Sequence, residues 1–559
     1  MLDELVAWGK TCGLRFNSEK SVAIVFTRSR KKPPFALRID GGEIEFKTEV
    51  KYLGVTLDSK LHWTPHINDK ISKTKKYLGK IMCMTRNNWG PKPKLKRWAY
   101  IGIVRPMLCY GAMIWGHRAL ELIAKFRRIN RMAINTFANF PRSTPTAALE
   151  IMLDVLPLHL FCVQEGVAAR LRLEETLEFG WHGSSHTKTH AISHMKFLAD
   201  RLEEFGIRPG LTDRCNSVRW NNAFKIDRDS FSGEAKHRQL TQYNVYTDGS
   251  KIDGQTGSGL VVHRGRKEVH CEWLRLPDEA TVFQAEIVGI ARAAEALAGL
   301  PGTEVRYVKI LVDSQAAILA IGNHRVKSKV VEWAIDSLNN LAKLAKSVTI
   351  TWIPAHKGHD GNERADTLAK AGARELESAR TVHIGKPGSA VKATLRENIY
   401  KTWQHEWSNQ PSANHSKSFY SGPNRGKAKF VFKLARLELG RFIRIVTGHN
   451  NLSFFQNKIG LSQRRLCRFC TEGDETITHL MAVCPRFKEL QKDTFLGQLP
   501  KADMTWSVRQ LIDFSFSPGI NEAFEGTWAN DDPVADWGDP AEVTLGLDWL
   551  EDGSAGGLE

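Results

Sequence analysis

Apolar and polar positions change rhythm several times along the chain. The first 84 residues open on a short helical stretch and pass to strand alternation. Leu37-Arg38-Ile39-Asp40 and Ile44-Glu45-Phe46 flank Gly41-Gly42, a hairpin signal, and Lys51–Asp58 reads as one further strand. From about Ile67 to Leu202 the spacing is helical, with Lys73, Lys75, Lys76, Lys80 and Arg97 set between apolar residues. Glu203 to Gln239 is polar and punctuated by Gly and Pro, a linker pattern. Strand and helix then alternate. Asn244–Ser250, Ser258–Val262, His270–Leu274, Val308–Ser314 and Val348–Ile353 are five strands. Thr281 is placed to cap a helix running to about Ala298 and ended by Gly299 and Pro301, and Ser314 to cap Gln315–Ile321. A Gly-containing loop from Pro354 feeds a last helix through Asp366. Gly385–Asn424 is a second linker with some helix, and Gly426–Ile445 reads as one basic helix with Phe430, Phe432, Leu434, Leu437 and Phe442 between its cations.

Charge sharpens this picture. The formal net charge is +18, but Asn521–Glu559 holds eleven acids and no Lys or Arg. Removing those eleven leaves 50 acids against 79 bases, or +29, for the rest of the chain. A body that basic favours a polyanion, most often nucleic acid, whereas the acidic tail has the composition of a disordered segment. No stretch reaches the roughly 20 apolar residues of a spanning helix, and the start MLDELVAWGK lacks the basic and small-residue pattern of a signal peptide. The expectation is a membrane-free intracellular protein of the nucleus or cytoplasm. Nine cysteines, six of them isolated, do not look like a disulfide framework; they suggest reduced thiols, with Cys467, Cys470 and Cys484 as one local cluster.

The candidate chemistry lies in the alternating segment. Asp248 and Asp313 stand at strand ends, Glu286 in the second turn of the helix after the third strand, and Asp366 in the last helix. Carboxylates at strand ends and adjoining helices can meet at one sheet edge, where they repel unless cations neutralise them. Hard divalent ions with oxygen ligands suit such a cluster, and two of them about 3.5–4 Å apart can activate water and stabilise a leaving phosphodiester oxygen. Thr247-Asp248-Gly249-Ser250, Glu286, Asp313-Ser314 and His356-x-Gly358-x-x-Gly361-Asn362-Glu363-x-Ala365-Asp366 resemble type I ribonuclease H in order, spacing and context, over about a quarter of the chain. The resemblance implies a five-stranded mixed sheet with flanking helices. It implies hydrolysis of the RNA strand of an RNA–DNA hybrid. Asp248, Glu286, Asp313 and Asp366 would ligate two magnesium ions, with manganese as a substitute and Asp248 bridging. His356 would assist proton transfer or product release. Ser250, Ser314 and Asn362 are expected to touch 2′-hydroxyls or phosphates, through which a protein tells RNA from DNA.

Cys467-x-x-Cys470, His479 and Cys484 offer three thiolates and an imidazole, a closed ligand set for zinc, flanked by Arg464, Arg465 and Arg468 that could meet phosphate. The N-terminal Gly13-Leu14-x-Phe16-Asn17-x-x-Lys20 and Val50-Lys51-Tyr52-Leu53-Gly54-Val55-x-Leu57-Asp58 look like segments that follow the catalytic strands of non-LTR retrotransposon reverse transcriptases. The order of polymerase end, ribonuclease H and zinc knuckle is similar to the Jockey-like group. The expected fold is therefore a multidomain α+β and α/β chain. It would run as 1–84, palm end and thumb start without the catalytic part; 85–239, helical thumb, connection and linker; and 240–376, ribonuclease H. It would continue as 377–445, linker and basic helix; 446–490, zinc knuckle; and 491–559, C-terminal segment and acidic tail. The family's Tyr-x-Asp-Asp motif is absent, so no autonomous reverse transcriptase activity is expected. Partners are RNA–DNA hybrid, RNA and DNA. One competing reading is a non-catalytic nucleic-acid-binding relic carried by the basic helices and the knuckle. An integrase-like transferase is the third, weakened because such enzymes share fewer of these carboxylates and lack the His356 loop.

Overall fold

The computed structural model describes residues 1–27, 35–83, 90–138, 140–176, 200–207, 211–232, 241–300, 306–355, 357–375, 379–495 and 507–524. His356, Pro301 and the acidic tail beyond 524 lie outside them. The chain divides into two units: 1–86 with 96–133 and 156–409, and 87–95 with 134–155 and 410–559.

In the first unit, β1 (Val22–Ala23), β2 (Leu37–Ile39) and β3 (Gly42–Phe46) form a small sheet. Its hairpin turns at Asp40-Gly41, both at positive φ. The stretch read as one strand at Lys51–Asp58 is instead a second hairpin, β4 (Glu49–Tyr52) and β5 (Val55–Asp58). Leu53 (φ 46°) and Gly54 (φ 81°) supply the paired left-handed conformations of a tight hairpin turn, and a leucine there hides the signal. The Asp58 carboxylate accepts from the N–H groups of Lys60, His62 and Trp63, fixing the approach to helix α1 (Thr64–Cys83). Helix α2 (Leu158–Thr176) packs against a 21-residue helix, Gly388–Ser408, which occupies part of the expected second linker. That helix buries Val391, Leu395, Ile399, Trp403 and Trp407, a four-residue repeat down one face, and its Glu406 meets the buried His159 Nε2 at 2.9 Å.

This unit also contains a seven-stranded sheet. The flank at 211–232, ahead of the sheet's central strands, contributes β6 (Ser217–Val218), which pairs outside the sheet, and β7 (Lys225–Asp227), which joins its edge. Then come β8 (Tyr243–Ile252), β9 (Gln255–Arg264), β10 (Lys267–Leu276), helix α3 (Val282–Ala298), β11 (Tyr307–Val312), α4 (Gln315–Ile321), β12 (Arg325–Val326), α5 (Lys329–Leu344), β13 (Ser347–Trp352), α6 (Asp360–Arg374) and β14 (Arg380–Thr381). The order is β14-β10-β9-β8-β11-β13-β7. The meander β8–β9–β10 is antiparallel, and β8, β11, β13 and β7 run parallel. All five expected strands are present, and the flanks add β7 and β14 at the two edges. Helices α3 and α5 cover one face over the main core, including Val245, Leu260, Ile287, Ile290, Ile310, Ile335 and Ile350. Helix α6 covers the other with a small cluster of Val261, Ala365 and Leu368.

In the second unit the expected single basic helix is two: α7 (Arg425–Val431) and α8 (Arg436–Thr447). The chain turns at Phe432–Ala435, where Phe432 and Leu434 are buried rather than presented along a continuous helix. Two of its cations are engaged within the unit. Arg441 donates to Ser515 O and Asn521 Oδ1 and lies over the rings of Phe516 and Phe524. Lys427 donates to Phe419 O and lies over Tyr420.

Candidate active site

Three expected carboxylates converge beside α3 where the pairing of β8 with β11 stops, at Thr247 and Val312; Asp248, expected at a strand end, lies within β8, which runs on to Ile252 against β9. One oxygen each from Asp248, Glu286 and Asp313 lies within 4.8 Å of the others. Local sequence explains the convergence. Thr281 and Gln284 form a capping box that starts α3, so Glu286 falls in its second turn. Gly249 lets that helix close in: a Cβ there would stand 2.8 Å from Glu286 N and 3.0 Å from Val282 O. Gly259 does the same for α6 on the opposite face, where a Cβ would stand 2.3 Å from Ala365 O. Ser314 caps α4, accepting from Ala317 N at 3.3 Å, and so fixes the chain direction immediately after Asp313.

Electrostatically the cluster is unbalanced. Among the described residues no Lys or Arg pairs with these three acids, and Glu286 Oε2 is buried without a hydrogen-bond partner. Burial, and then the charge of Asp313, push the Asp248 carboxyl up to about 7, although the Gly249 N–H opposes this by donating to its Oδ1 at 2.7 Å. Glu286 is held well above the usual carboxylate range by burial, then by Asp248 and Asp313. Burying several acids this closely is costly unless protons or cations share the site. The orphaned Glu286 oxygen and the all-oxygen donor set fit hard divalent cations.

Residues 240–374 match the family model described as RNase H. Relatives over wider stretches include the "Putative 115 kDa protein in type-1 retrotransposable element R1DM" of Drosophila melanogaster, 24% identical over 234 residues, 41% of this chain and 21% of that protein. A "Retrovirus-related Pol polyprotein from type-1 retrotransposable element R1" of Bradysia coprophila is 25% identical over 172 residues, 30% of this chain and 17% of that one. The "RNA-directed DNA polymerase from mobile element jockey" of Drosophila melanogaster is 28% identical over 162 residues, 28% of this chain and 17% of that one. The chain carries an RNase H domain and is similar to R1 and jockey retrotransposon proteins. Its matches span about a fifth of the length of these curated relatives. The crystal structure of RNase H1 from Halobacterium salinarum matches at 23% identity, covering 24% of this chain and 97% of that one, with a TM-score of 0.21.

Within the RNase H domain the other expected residues are placed unequally. Asp366 is near enough for its charge to act on Asp248, but its carboxylate pairs with Lys370 Nζ, one helical turn on, at 2.7 Å and stands outside the tight group. Asn362, expected at substrate, is buried and donates to Asp313 Oδ2 at 3.2 Å, leaving its own Oδ1 without a partner. Its position makes it an orienter of a carboxylate. Ser250 is half-buried on β8, opposite Gly257. Sequence reasoning passed over Ser258, whose hydroxyl donates to Asp248 O at 3.3 Å, and Asp213, a buried acid in the first flank. Asp213 accepts from Ser328 Oγ at 2.8 Å, Val330 N at 2.9 Å and Gln284 Nε2 at 3.0 Å, joining the N-termini of α5 and α3. Its signal was faint: a lone Asp in a polar stretch, legible only through the Thr281–Gln284 box it supports.

In the second unit the ligand atoms of Cys467, Cys470, His479 and Cys484 also lie within 4.8 Å of one another. The sulfurs of Cys467 and Cys484 are 4.0 Å apart, close to the roughly 3.8 Å edge expected for two thiolates on one tetrahedral zinc. Cys470 Sγ meets His479 Nε2 at 3.2 Å. Thr476 caps the helix Ile477–Ala482 that presents His479. Without a cation, burial raises the Cys467 thiol and pushes Cys484 up to about 12. Two of the flanking arginines are paired at the surface: Arg465 forks onto Asp474 at 2.7 Å, and Arg468 pairs with the fully buried Glu475 at 2.8 Å. Among the described residues, no helix is long and apolar enough to cross a membrane.

Proposed function

We propose that this chain is a metal-dependent ribonuclease H that hydrolyses the RNA strand of an RNA–DNA hybrid endonucleolytically. The observation that carries the reading is the gathering of Asp248, Glu286 and Asp313 within one site, with no Lys or Arg paired to them among the described residues. The family match over the same residues supports it. These three, with Asp366 released from Lys370, would hold two magnesium ions, manganese substituting. Bound in such a site, ions of this kind generate a nucleophilic water and stabilise the leaving oxygen. The chain's own residues prepare the place. Asn362 orients Asp313, and Gly249 and Gly259 let the two carboxylate-bearing helices close on the sheet. Ser314 accepts a backbone N–H and so keeps its hydroxyl proton to donate to a 2′-hydroxyl or phosphate. Ser250 is assigned to the same contact. His356, following the strand that ends at Trp352, would move a proton or aid product release. Cys467, Cys470, His479 and Cys484 would hold zinc as a folding or nucleic-acid-binding element. The sequence holds no Tyr-x-Asp-Asp, and polymerisation forms no part of the proposal.

The test uses the purified full chain with magnesium and an end-labelled RNA–DNA hybrid. Wild type should cut the RNA strand and spare single-stranded RNA, and Asp248→Asn should abolish cutting. An intact hybrid after prolonged incubation with wild type refutes the reading.

A further inference from the structure

Outside the residues of the RNase H match, the flank from Arg214 to Lys225 contains no acid, and neither does the stretch from Ser314 to Val331. The fold joins these two segments. β6 pairs antiparallel with β12, Val218 opposite Arg325 and Ser217 opposite Val326. The ladder continues as Arg219 N–H to His324 O at 2.8 Å and Cys215 N–H to Lys327 O at 3.3 Å. The resulting ribbon carries Trp220, which is 74% exposed and stacks on the exposed His324 ring, with centroids 5.5 Å apart and planes 29° from parallel. His324 Nδ1 lies 3.2 Å from Arg219 O, which orients the imidazole beneath the indole. Arg219 is anchored on Glu332 and Asp336 of α5, so the ribbon is held to the domain body. Arg325 and Lys327 remain at its surface.

The ribbon is close to the carboxylates along the chain. Helix α4 begins at Ser314, next to Asp313, and ends at Ile321. Seven helical residues rise about 10 Å, the length of about three stacked nucleotides of one strand. A large aromatic held in the open, oriented by a second ring and bordered by the exposed Arg325 and Lys327, matches the chemistry of a base and its phosphates. We propose that the Trp220–His324 ribbon is a substrate-contacting surface that stacks on a base of the bound hybrid about three nucleotides from the cleavage centre, with Arg325 and Lys327 on the adjoining phosphates. The inference rests on the nuclease reading above and adds to it a contact built by the flank.

The experiment measures binding apart from cutting. In full-length protein carrying Asp248→Asn, the affinity for a fluorescein-labelled RNA–DNA hybrid is read by anisotropy in magnesium. Adding Trp220→Ala should weaken binding about tenfold, within the usual range for one base–aromatic stack. Trp220→Phe should recover most of the loss. Arg325→Ala with Lys327→Ala should flatten the dependence of affinity on salt. In the otherwise wild-type chain Trp220→Ala should raise KM and leave kcat unchanged. Unchanged hybrid affinity in Trp220→Ala overturns the proposal and leaves the ribbon as a protein-contact surface. Because binding and cleavage are read separately, loss of cutting in the parent would refute the nuclease reading while binding still reports on the ribbon.

Discussion

The carboxylate cluster should make the metal-free protein more stable when it is damaged. The perturbation is Asp248→Asn. A carboxyl whose folded pKa is raised binds its proton more tightly when folded. Its contribution is therefore fully present below the unfolded value and is lost as pH climbs through the folded one. For Asp248 that window runs from 3.8 to about 7. About three pKa units correspond to about 4 kcal/mol, and to about 2 kcal/mol once solvent screening of a half-buried group is allowed for. Asparagine has no proton to lose and keeps the shape. In EDTA at pH 8 the variant should therefore unfold at higher temperature by several degrees. Near pH 4 the advantage should vanish, because wild type then keeps its proton. Magnesium at pH 8 should also close the gap, since cations replace the missing proton in wild type alone. Thermal melts followed by circular dichroism at the two pH values, with and without magnesium, provide the assay. An Asp248→Asn variant that melts at or below wild type at pH 8 in EDTA would refute the argument that these acids repel across the site.

Asp213→Ala strands the donors of Val330, Ser328 and Gln284, and should cost about 3 kcal/mol in a urea melt, a loss below 1 kcal/mol showing that Asp213 does not hold the two helices. Gly259→Ala forces a methyl group to within 2.3 Å of Ala365 O, so α6 must shift; stability should fall by about 1–3 kcal/mol and hybrid cleavage with it, whereas a silent substitution would deny that the close approach matters. Native mass spectrometry should find one zinc per chain, lost in Cys467→Ser, and a chain purified without zinc that gains none on titration would contradict the Cys–Cys–His–Cys assignment.

What could be read in advance depended on how local each signal was. The capping box at Thr281, the strand end before Asp313 and the Cys-x-x-Cys spacing are determined by residues a few positions apart, and the structure reproduces each, whereas Asp248, read as a strand end, lies inside β8, which its pairing with β9 carries on to Ile252. Features set by distant partners escaped. β7 has three residues and β14 two, too few to show alternation, and they become strands because the edges at β13 and β10 offer unpaired backbone. Lys51–Asp58 read as one strand because its turn uses a leucine at positive φ, tolerated only beside Gly54. The basic run at 426–445 had the right composition for a nucleic-acid helix, yet Arg441 and Lys427 found acceptors and rings within their own unit. Composition counts charges, whereas packing decides which of them face a ligand. The same reasoning raises the standing of Trp220. Its neighbours in sequence gave it no role, and it acquires one only because β12, more than a hundred residues on, brings His324 against its ring and leaves its other face exposed. The flank is therefore tied to the RNase H domain in two ways, through Asp213, which joins the N-termini of α5 and α3, and through the β6–β12 ribbon.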